Sequence, residues 1–148
     1  MGPTCNGFPA TRVGTGKSDL IIGTDGRDVI VALGGNDLIF GRDGDDVICA
    51  GNGNDLVFGQ DGEDWIAGEG GKDIIDGGDD DDELHGGPGK DTLFGGDDDD
   101  LLDGGPQRDV CSGGHGNDTF VSCELRLRHD RDDDDRHDDH DDDHDDHH

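Results

Sequence analysis

Aspartate recurs at every ninth position over most of this chain, and the recurrence indicates metal-ion chemistry. Twelve repeats of nine residues cover residues 14–121, and the sixth place of each repeat is Asp. These residues are Asp19, Asp28, Asp37, Asp46, Asp55, Asp64, Asp73, Asp82, Asp91, Asp100, Asp109 and Asp118. Carboxylates are hard oxygen ligands, and Ca²⁺ accepts several of them together with backbone carbonyls in flexible geometry. Acid–base catalysis instead needs a pair of carboxylates in a cleft, which a regular column of acids does not predict.

Each repeat divides into a turn and a short strand that would position these carboxylates. The first six places are rich in Gly, Asn and Asp, which favour turns, and Gly permits positive φ. The last three places, as in residues 29–31, are rich in β-branched and aromatic residues and predict a strand. Because alternate strand side chains face opposite ways, the eighth place points inward and its neighbours point outward. The eighth place is apolar throughout: Ile21, Ile30, Ile39, Ile48, Val57, Ile66, Ile75, Leu84, Leu93, Leu102, Cys111 and Phe120.

Two repeats make one coil of 18 residues, so the twelve repeats predict six coils stacked at about 4.8 Å. The turns of odd repeats then share one side of the solenoid, and the turns of even repeats share the other. At this spacing the carboxylates within each column would repel one another strongly without a cation. Five gaps on each side offer at most ten sites for Ca²⁺.

Composition and charge agree with this arrangement. The chain has 148 residues, a formal charge of −29 and only 27% apolar residues. The charge disfavours nucleic acid as a partner because phosphates are repelled, and no apolar run is long enough to span a membrane. Residues 1–128 hold 28 acidic and 9 basic side chains, which is a charge of −19. Ten calcium ions would balance this charge, so the acidity of the repeats is suited to divalent ions.

The repeats resemble the RTX, or haemolysin-type, calcium-binding nonapeptide, G-G-x-G-x-D-x-U-x. The resemblance is carried by segments such as residues 34–40, Gly-Gly-Asn-Asp-Leu-Ile-Phe, and residues 86–94, Gly-Gly-Pro-Gly-Lys-Asp-Thr-Leu-Phe. It implies an all-β fold, a parallel β-roll (right-handed β-solenoid) of about six 18-residue coils. It also implies a chain that is disordered without Ca²⁺ and folds where Ca²⁺ is abundant, outside the cell.

By the same resemblance, Ca²⁺ lies between successive turns on one side and is bound by Asp carboxylates and turn carbonyls. Lys17 and Gln107 replace the central turn glycine in repeats 1 and 11, so Asp19 and Asp109 are left out of the expected ligands. The expected ligands are Asp28, Asp37, Asp46, Asp55, Asp64, Asp73, Asp82, Asp91, Asp100 and Asp118, with the central glycines Gly35, Gly44, Gly53, Gly62, Gly71 and Gly89.

Four cysteines in a small acidic chain indicate an oxidising compartment. They allow three pairings, of which Cys111–Cys123 with Cys5–Cys49 would tie both ends of the chain to the repeats. Free thiols and a metal site are the alternatives, although a metal site would need close Cys/His pairs, which the sequence lacks. No secretion leader is visible before residue 14, so an exported chain would have lost its leader or would use another type.

Residues 129–148 are of low complexity, with twelve Asp, six His, two Arg and a charge of −10. This composition predicts a disordered acidic tail that is too polar to fold alone. An alternative is weak binding of Zn²⁺, Ni²⁺ or Cu²⁺ by its histidines, His137, His140, His144, His147 and His148. The sequence thus predicts an N-terminal cap (1–13), the repeats (14–121), a C-terminal cap (122–128) and the tail (129–148).

The function predicted from the sequence is that of an extracellular calcium-binding protein that folds on binding and is not an enzyme. The alternative is an RTX-type secretion or adhesion module of a larger toxin or enzyme system. Outward places of the odd repeats carry an apolar ladder that would contact a partner or a second copy, although ordinary strand propensity also accounts for such residues. The ladder is formed by Leu20, Leu38, Phe40, Leu56 and Phe58, with Ile22 and Ile74 beside them.

Overall fold

The computed structural model describes residues 2–127, which form strands and turns. This part of the chain contains no helix, and therefore none that could cross a membrane. The predicted disordered tail and its metal-binding histidines lie outside the described residues, as does the last residue of the predicted C-terminal cap.

Every repeat contributes one short strand at the position that its last three residues predict. Before the repeats lie β1 (Thr4–Cys5), β2 (Phe8–Pro9) and β3 (Arg12–Val13), and after them lies β16 (Leu125–Leu127). The strands of the repeats are β4 (Leu20–Ile22), β5 (Val29–Val31), β6 (Leu38–Phe40), β7 (Val47–Cys49), β8 (Leu56–Phe58), β9 (Trp65–Ala67), β10 (Ile74–Gly78), β11 (Glu83–His85), β12 (Thr92–Gly96), β13 (Leu101–Asp103), β14 (Val110–Gly114) and β15 (Thr119–Val121).

These strands form two parallel seven-stranded sheets. The front sheet has the order β16-β14-β12-β10-β8-β6-β4, and the back sheet has the order β15-β13-β11-β9-β7-β5-β3. Neighbouring strands of the repeats are offset by 18 residues, so that Ile39 pairs with Val57 in the front sheet. The offset is shorter at the C-terminal end, where Val110 pairs with Leu125. The sheets confirm the predicted parallel β-solenoid of about six coils.

The core is a single row of apolar side chains from each sheet, taken from the eighth place of the repeats. Ten of these residues are fully buried: Ile30, Ile39, Ile48, Val57, Ile66, Ile75, Leu84, Leu93, Leu102 and Cys111. Ile21 and Phe120 belong to the first and last repeats, and they are partly buried against the same cluster. Full burial of such a side chain contributes about 1.5–3 kcal/mol, so a core one residue wide per repeat leaves much of the cohesion to the turns.

The N-terminal segment covers the outer face of the back sheet at its first strands, β5 and β7. β1 and β2 form an antiparallel hairpin, and Cys5 forms a disulfide with Cys49 on β7. Cys5 is buried together with outward-facing residues of the back sheet, including Val29 and Val47. Arg27 lies over the ring of Phe8, with its guanidinium carbon 4.6 Å from the ring centroid. A hydrophobic cluster outside the solenoid therefore supports its first coils.

The second disulfide joins Cys111 to Cys123, so the predicted pairing of all four cysteines is confirmed.

The outer face of the front sheet differs from that of the back sheet, because no hairpin among residues 2–127 covers it. Leu20 is 63% exposed and Ile22 is 47% exposed, while Phe40 and Phe58 stack with their ring centroids 5.2 Å apart. The predicted apolar ladder thus lies on an open surface.

Candidate metal centre

The turns of repeats 3 to 12, residues 32–121, share one backbone conformation with positive φ at places 2 and 4. At place 4, Gly35 has φ +94° and Gly53 has φ +118°. A Cβ at Gly53 would overlap the carbonyl of Gly35 in the preceding coil, so only glycine fits there. Gln107 has φ +80° at the corresponding place, so the turn of repeat 11 keeps this conformation although its central glycine is missing. The turns therefore stack as near copies at 18-residue intervals.

The aspartates of each side form a continuous hydrogen-bonded column. The backbone N–H of each Asp from Asp19 to Asp100 donates to Oδ1 of the Asp 18 residues later, over 2.7–2.9 Å. The bond from Asp46 to Asp64 and the bond from Asp55 to Asp73 are examples from the two sides. One carboxylate oxygen of each Asp from Asp37 to Asp118 is thus directed toward the preceding coil.

The other carboxylate oxygen, Oδ2, lacks a donor in most repeats. Within residues 2–127, nine of these oxygen atoms are buried and have no hydrogen-bond partner: Oδ2 of Asp37, Asp46, Asp55, Asp64, Asp73, Asp82, Asp91, Asp100 and Asp109. Leaving a buried polar atom unpaired costs about 1–3 kcal/mol, and more for a charged group. Nine such atoms in two regular columns indicate that a group outside the chain satisfies them.

Carbonyl oxygens lie next to these unpaired carboxylate oxygens. A Cβ at Gly59, the first residue of repeat 6, would lie 2.5 Å from Asp64 Oδ2 and 2.8 Å from the carbonyl oxygen of Gly77. Gly77 begins repeat 8, so its carbonyl belongs to the next coil on the same side. Among residues 2–127, no three acidic, His or Cys side chains lie so that they could hold a metal ion by themselves, so backbone carbonyls would have to complete the donor set of each gap. An all-oxygen donor set of this kind fits Ca²⁺.

Burial raises the pKa of the nine column aspartates from Asp37 to Asp109, although the N–H bond to Oδ1 opposes the rise. The pKa of Asp64 is raised to about 9 from an ordinary value of 3.8, and that of Asp73 is raised to about 8. The pKa of Asp46 is raised to about 7 and that of Asp55 to about 6. Neighbouring carboxylates of the column add to the rise in each case. At neutral pH the column therefore needs protons or cations.

The C-terminal end of one column is completed by residues that the repeat pattern does not include. The N–H of Asp109 donates to Glu124 Oε2 over 2.8 Å, so Glu124 takes the place of a further Asp. A Cβ at Gly104 would lie 2.6 Å from the carbonyl oxygen of Ser122 and 2.7 Å from Asp109 Oδ2. Asp109, which the sequence leaves out of the ligand set, thus has the same surroundings as the predicted ligands. Its fifteen-residue distance from Glu124 hides this relation from a nine-residue pattern.

The predicted ligands lie together in two columns, with differences at the N-terminal end. Asp118 accepts the N–H of Asp100 and continues the even column. Asp28 also lies in that column, but its Oδ2 accepts the N–H of Thr24 over 2.6 Å. The predicted glycines occupy the left-handed place 4 of their turns: Gly35, Gly44, Gly53, Gly62, Gly71 and Gly89. Calcium binding by the individual residues stays a prediction.

The two sides of the solenoid differ in their exposed charge. Places 3 to 5 of the odd turns carry Lys17, Lys72, Lys90 and Arg108 and no acid. The same places of the even turns carry eleven acids: Asp25, Asp43, Asp45, Asp61, Glu63, Asp79, Asp80, Asp81, Asp97, Asp98 and Asp99. We call these the basic side and the acidic side. Only the inner columns are common to both sides.

Two stacked columns of buried oxygen donors on a parallel β-solenoid define a class of protein, the calcium-binding β-rolls. A family model, described as the RTX calcium-binding nonapeptide repeat, matches residues 13–48, 22–57, 50–84 and 85–120. The chain belongs to this family, which confirms the resemblance seen in its sequence. No curated protein matches the chain significantly.

Proposed function

We propose that this protein is an extracellular, non-enzymatic calcium-binding protein that folds when it binds Ca²⁺. The observation that carries the proposal is the set of nine buried Oδ2 atoms that have no partner within residues 2–127. The ion in each gap would be held by Oδ2 of one Asp, by Oδ1 of the next Asp in the same column and by carbonyl oxygens of the turns. When bound, Ca²⁺ replaces repulsion between carboxylates with bridges between coils.

Folding on binding follows from the balance between the core and the columns. The core supplies one buried side chain per repeat, whereas the columns bury one carboxylate per repeat. Burying an uncompensated charge costs several kcal/mol, so the metal-free coil loses most of what its core contributes. A gap that exists only between stacked turns binds the ion only in the folded state, so binding free energy becomes folding free energy.

Two disulfides support an extracellular location. Cys5–Cys49 and Cys111–Cys123 use all four cysteines of the chain. Disulfides persist in oxidising compartments and are rare in the cytosol. Extracellular calcium modules bind Ca²⁺ at about 10⁻⁴–10⁻³ M, an affinity that sites rich in neutral carbonyl ligands can supply.

Circular dichroism during a Ca²⁺ titration of the oxidised full chain tests the proposal. We expect a cooperative rise of β signal with Ca²⁺, its loss on adding chelator, and a weaker response to Mg²⁺, which demands stricter octahedral geometry. A β signal that chelator leaves unchanged would overturn folding on binding. Equilibrium dialysis in the same buffer measures the ions bound per chain, and binding of none would overturn calcium binding itself.

We further propose that two copies of the chain associate through the open face of the front sheet. The sequence predicts this face as a contact for a partner or a second copy. The supporting observations are the exposure of Leu20 and the stacked pair Phe40–Phe58, next to the half-buried Leu38 and Leu56. At the first coils, the outer face of the back sheet is already covered by the N-terminal hairpin of the same chain.

Charge complementarity selects the second copy as the occupant of this face. The front sheet lies between the basic side and the acidic side of the solenoid. A twofold axis parallel to the solenoid axis places two front sheets face to face and sets the acidic side of one copy against the basic side of the other. Lys72 and Lys90 of each copy then approach the even turns of its partner at the same level.

Light scattering at millimolar Ca²⁺ tests this association. We expect a dimer for the natural chain and a monomer for Phe40→Ser/Phe58→Ser. Val121→Ser, which removes a 44% exposed side chain from the back sheet, serves as the control and should remain dimeric. Only monomer, both for the natural chain and for the double variant, would remove the proposal.

A further inference from the structure

The turns of the first coil, residues 14–31, differ from all later turns of the described chain. Repeats 1 and 2 have no residue with positive φ, whereas each of repeats 3 to 12 has two. Place 2 is Thr in both, as Thr15 and Thr24. The sequence pattern does not single out these residues, because place 2 is Gly in only six of the twelve repeats and also holds Leu, Arg, Gln and Glu.

The two threonines supply donors to the oxygen atoms that lack donors in the later repeats. The N–H of Thr15 donates to Asp19 Oδ2, and the N–H of Thr24 donates to Asp28 Oδ2, each over 2.6 Å. Thr24 Oγ1 lies 3.1 Å from the same Oδ2 and 3.2 Å from Oδ1 of Asp28. Both carboxylates of the first coil are therefore satisfied by the chain itself.

The same hydroxyls also hold the turns in shape. Thr15 Oγ1 accepts the N–H of Lys17 over 3.1 Å, and Thr24 Oγ1 accepts the N–H of Gly26 over 3.2 Å. Each threonine thus closes a small hydrogen-bonded loop over its Asp, two to four residues away. A later repeat has no counterpart of this loop among residues 32–121, where place 2 is left-handed.

We propose that the first coil, residues 14–31, is closed to Ca²⁺ by its own threonines. It forms a metal-independent cap, additional to the predicted cap of residues 1–13, on which the calcium-dependent coils stack. The proposal rests on calcium binding in the later gaps. An N–H directed at Oδ2 places positive charge where an ion would lie, and binding there would break two hydrogen bonds per turn. Arg12 Nε, 3.8 Å from Asp28 Oδ1, adds a fixed positive charge at the same carboxylate. Asp28, which the sequence predicts as a ligand, belongs to this closed coil.

Cohesion of the cap comes from contacts that need no ion. Val29, Ile30 and Val31 are all buried, which holds for no three-residue strand of the front sheet. The Cys5–Cys49 disulfide ties the hairpin to the strand beneath the first coil on the back sheet. The back strand of the cap therefore has apolar contacts on both faces, as does β7 of the next coil, whereas β11 and β13 are fully buried only at their inward-facing residue.

Hydrogen exchange of the oxidised full chain in chelator tests the cap. We expect the backbone amides of residues 29–31 and 47–49 to remain protected while those of residues 56–121 exchange freely. Exchange throughout the chain would overturn the cap and leave the proposed function standing. Protection throughout the chain would overturn folding on binding itself, so the two failures are distinguishable.

A matched pair of double variants tests the closure of the first coil. Asp19→Asn/Asp28→Asn changes the first coil, and Asp37→Asn/Asp46→Asn makes the same change one coil later. Equilibrium dialysis should give the natural number of calcium ions for the first variant and about two fewer for the second. Loss of ions from the first variant would contradict the proposal, provided that its circular dichroism in Ca²⁺ matches that of the natural chain. If that spectrum is altered, hydrogen exchange of the natural chain in chelator decides the question. Free exchange of the amides of residues 47–49 would then contradict the cap.

Discussion

Asp64→Asn should change the stability of this protein in opposite directions with and without Ca²⁺. Asp64 lies in the middle of the even column and is 3% exposed. Its Oδ1 accepts the N–H of Asp46 over 2.8 Å, and its Oδ2 has no hydrogen-bond partner within residues 2–127. Asn keeps the shape and the Oδ1 acceptor but carries no charge, so the substitution isolates the charge.

The size of the effect without Ca²⁺ follows from the pKa of the carboxyl. Burial raises the pKa of Asp64 to about 9 from an ordinary value of 3.8. At pH 7 the metal-free fold must therefore take up a proton that the unfolded chain does not hold. This uptake costs about 4 kcal/mol, at roughly 1.4 kcal/mol for each of the three pH units involved. Asn avoids this cost, so the metal-free fold should gain stability, with about 4 kcal/mol as the upper limit.

With Ca²⁺ present the same substitution removes a ligand from two gaps. The Oδ2 of Asp64 faces the coil of Asp82, and its Oδ1 faces the coil of Asp46. We expect one or two fewer ions per chain and a higher Ca²⁺ concentration at the folding midpoint. The stability of the calcium-loaded fold should therefore fall.

Circular dichroism measures both effects: the strength of the β signal in chelator reports the metal-free fold, and urea denaturation in millimolar Ca²⁺ reports the calcium-loaded fold. Asp43→Asn is the matched control, because it removes an exposed carboxylate from the same side of the solenoid. The control should leave the signal in chelator unchanged and should change the free energy of unfolding in Ca²⁺ by less than about 0.5 kcal/mol. An Asp64→Asn variant that has less β signal than the natural chain in chelator, as well as lower stability in Ca²⁺, would refute the reasoning.

Three further predictions concern the pH dependence, the turns and the N-terminal disulfide. In chelator, the metal-free fold should be most stable near pH 4 and should lose stability as the pH rises to about 9, because burial raises the pKa of Asp73 to about 8 and also raises the pKa values of its column neighbours. The β signal by circular dichroism across this range measures the effect, and a signal that rises with pH would contradict it. Gly53→Ala should lower the free energy of unfolding in Ca²⁺ by about 2–4 kcal/mol, because a Cβ at φ +118° overlaps a carbonyl of the preceding coil. Gly16→Ala is the control: its Cβ has open space around it, so the free energy of unfolding should hardly change. Cys5→Ser/Cys49→Ser removes a disulfide between residues 44 apart and should lower the free energy of unfolding by about 4 kcal/mol. Urea denaturation in Ca²⁺ measures this change, and an unchanged midpoint would exclude a role for the disulfide in stability.

The period of the sequence predicts most of the fold, because each repeat faces the same physical problem. The apolar residue at place 8 of each repeat points into the core, so Ile39 and Leu84 are buried as the nine-residue period predicts. The turn conformation is less visible in the sequence. Gln107 adopts the same left-handed backbone as the glycines at its place, because its neighbours in the stack impose that conformation.

The ends of the columns could not be predicted from the period, since the ends are where the repeat stops. Glu124 takes the place of a column Asp, but it lies 15 residues after Asp109 and not the 18 residues of a full coil. Its role becomes visible only in the hydrogen bond that it accepts from Asp109. Thr15 and Thr24 occupy place 2, which holds several residue types among the repeats, and their effect depends on backbone angles. Both cases depend on hydrogen bonds outside the nine-residue pattern, which become visible only in the folded chain.

The difference between the two sides of the solenoid sets the lengths by which the chain can grow or shrink. Loss of nine residues would move every later repeat to the opposite side of the solenoid. Loss of residues 77–85, for example, would stack the even turn of Asp97 to Asp100 on the odd turn of Lys72 in place of its own acidic neighbours. The front and back strands would also exchange sheets beyond the deletion. Loss of 18 residues keeps every column aligned and removes one coil. Insertions and deletions in this chain should therefore come in whole coils, although its visible repeat has half that length.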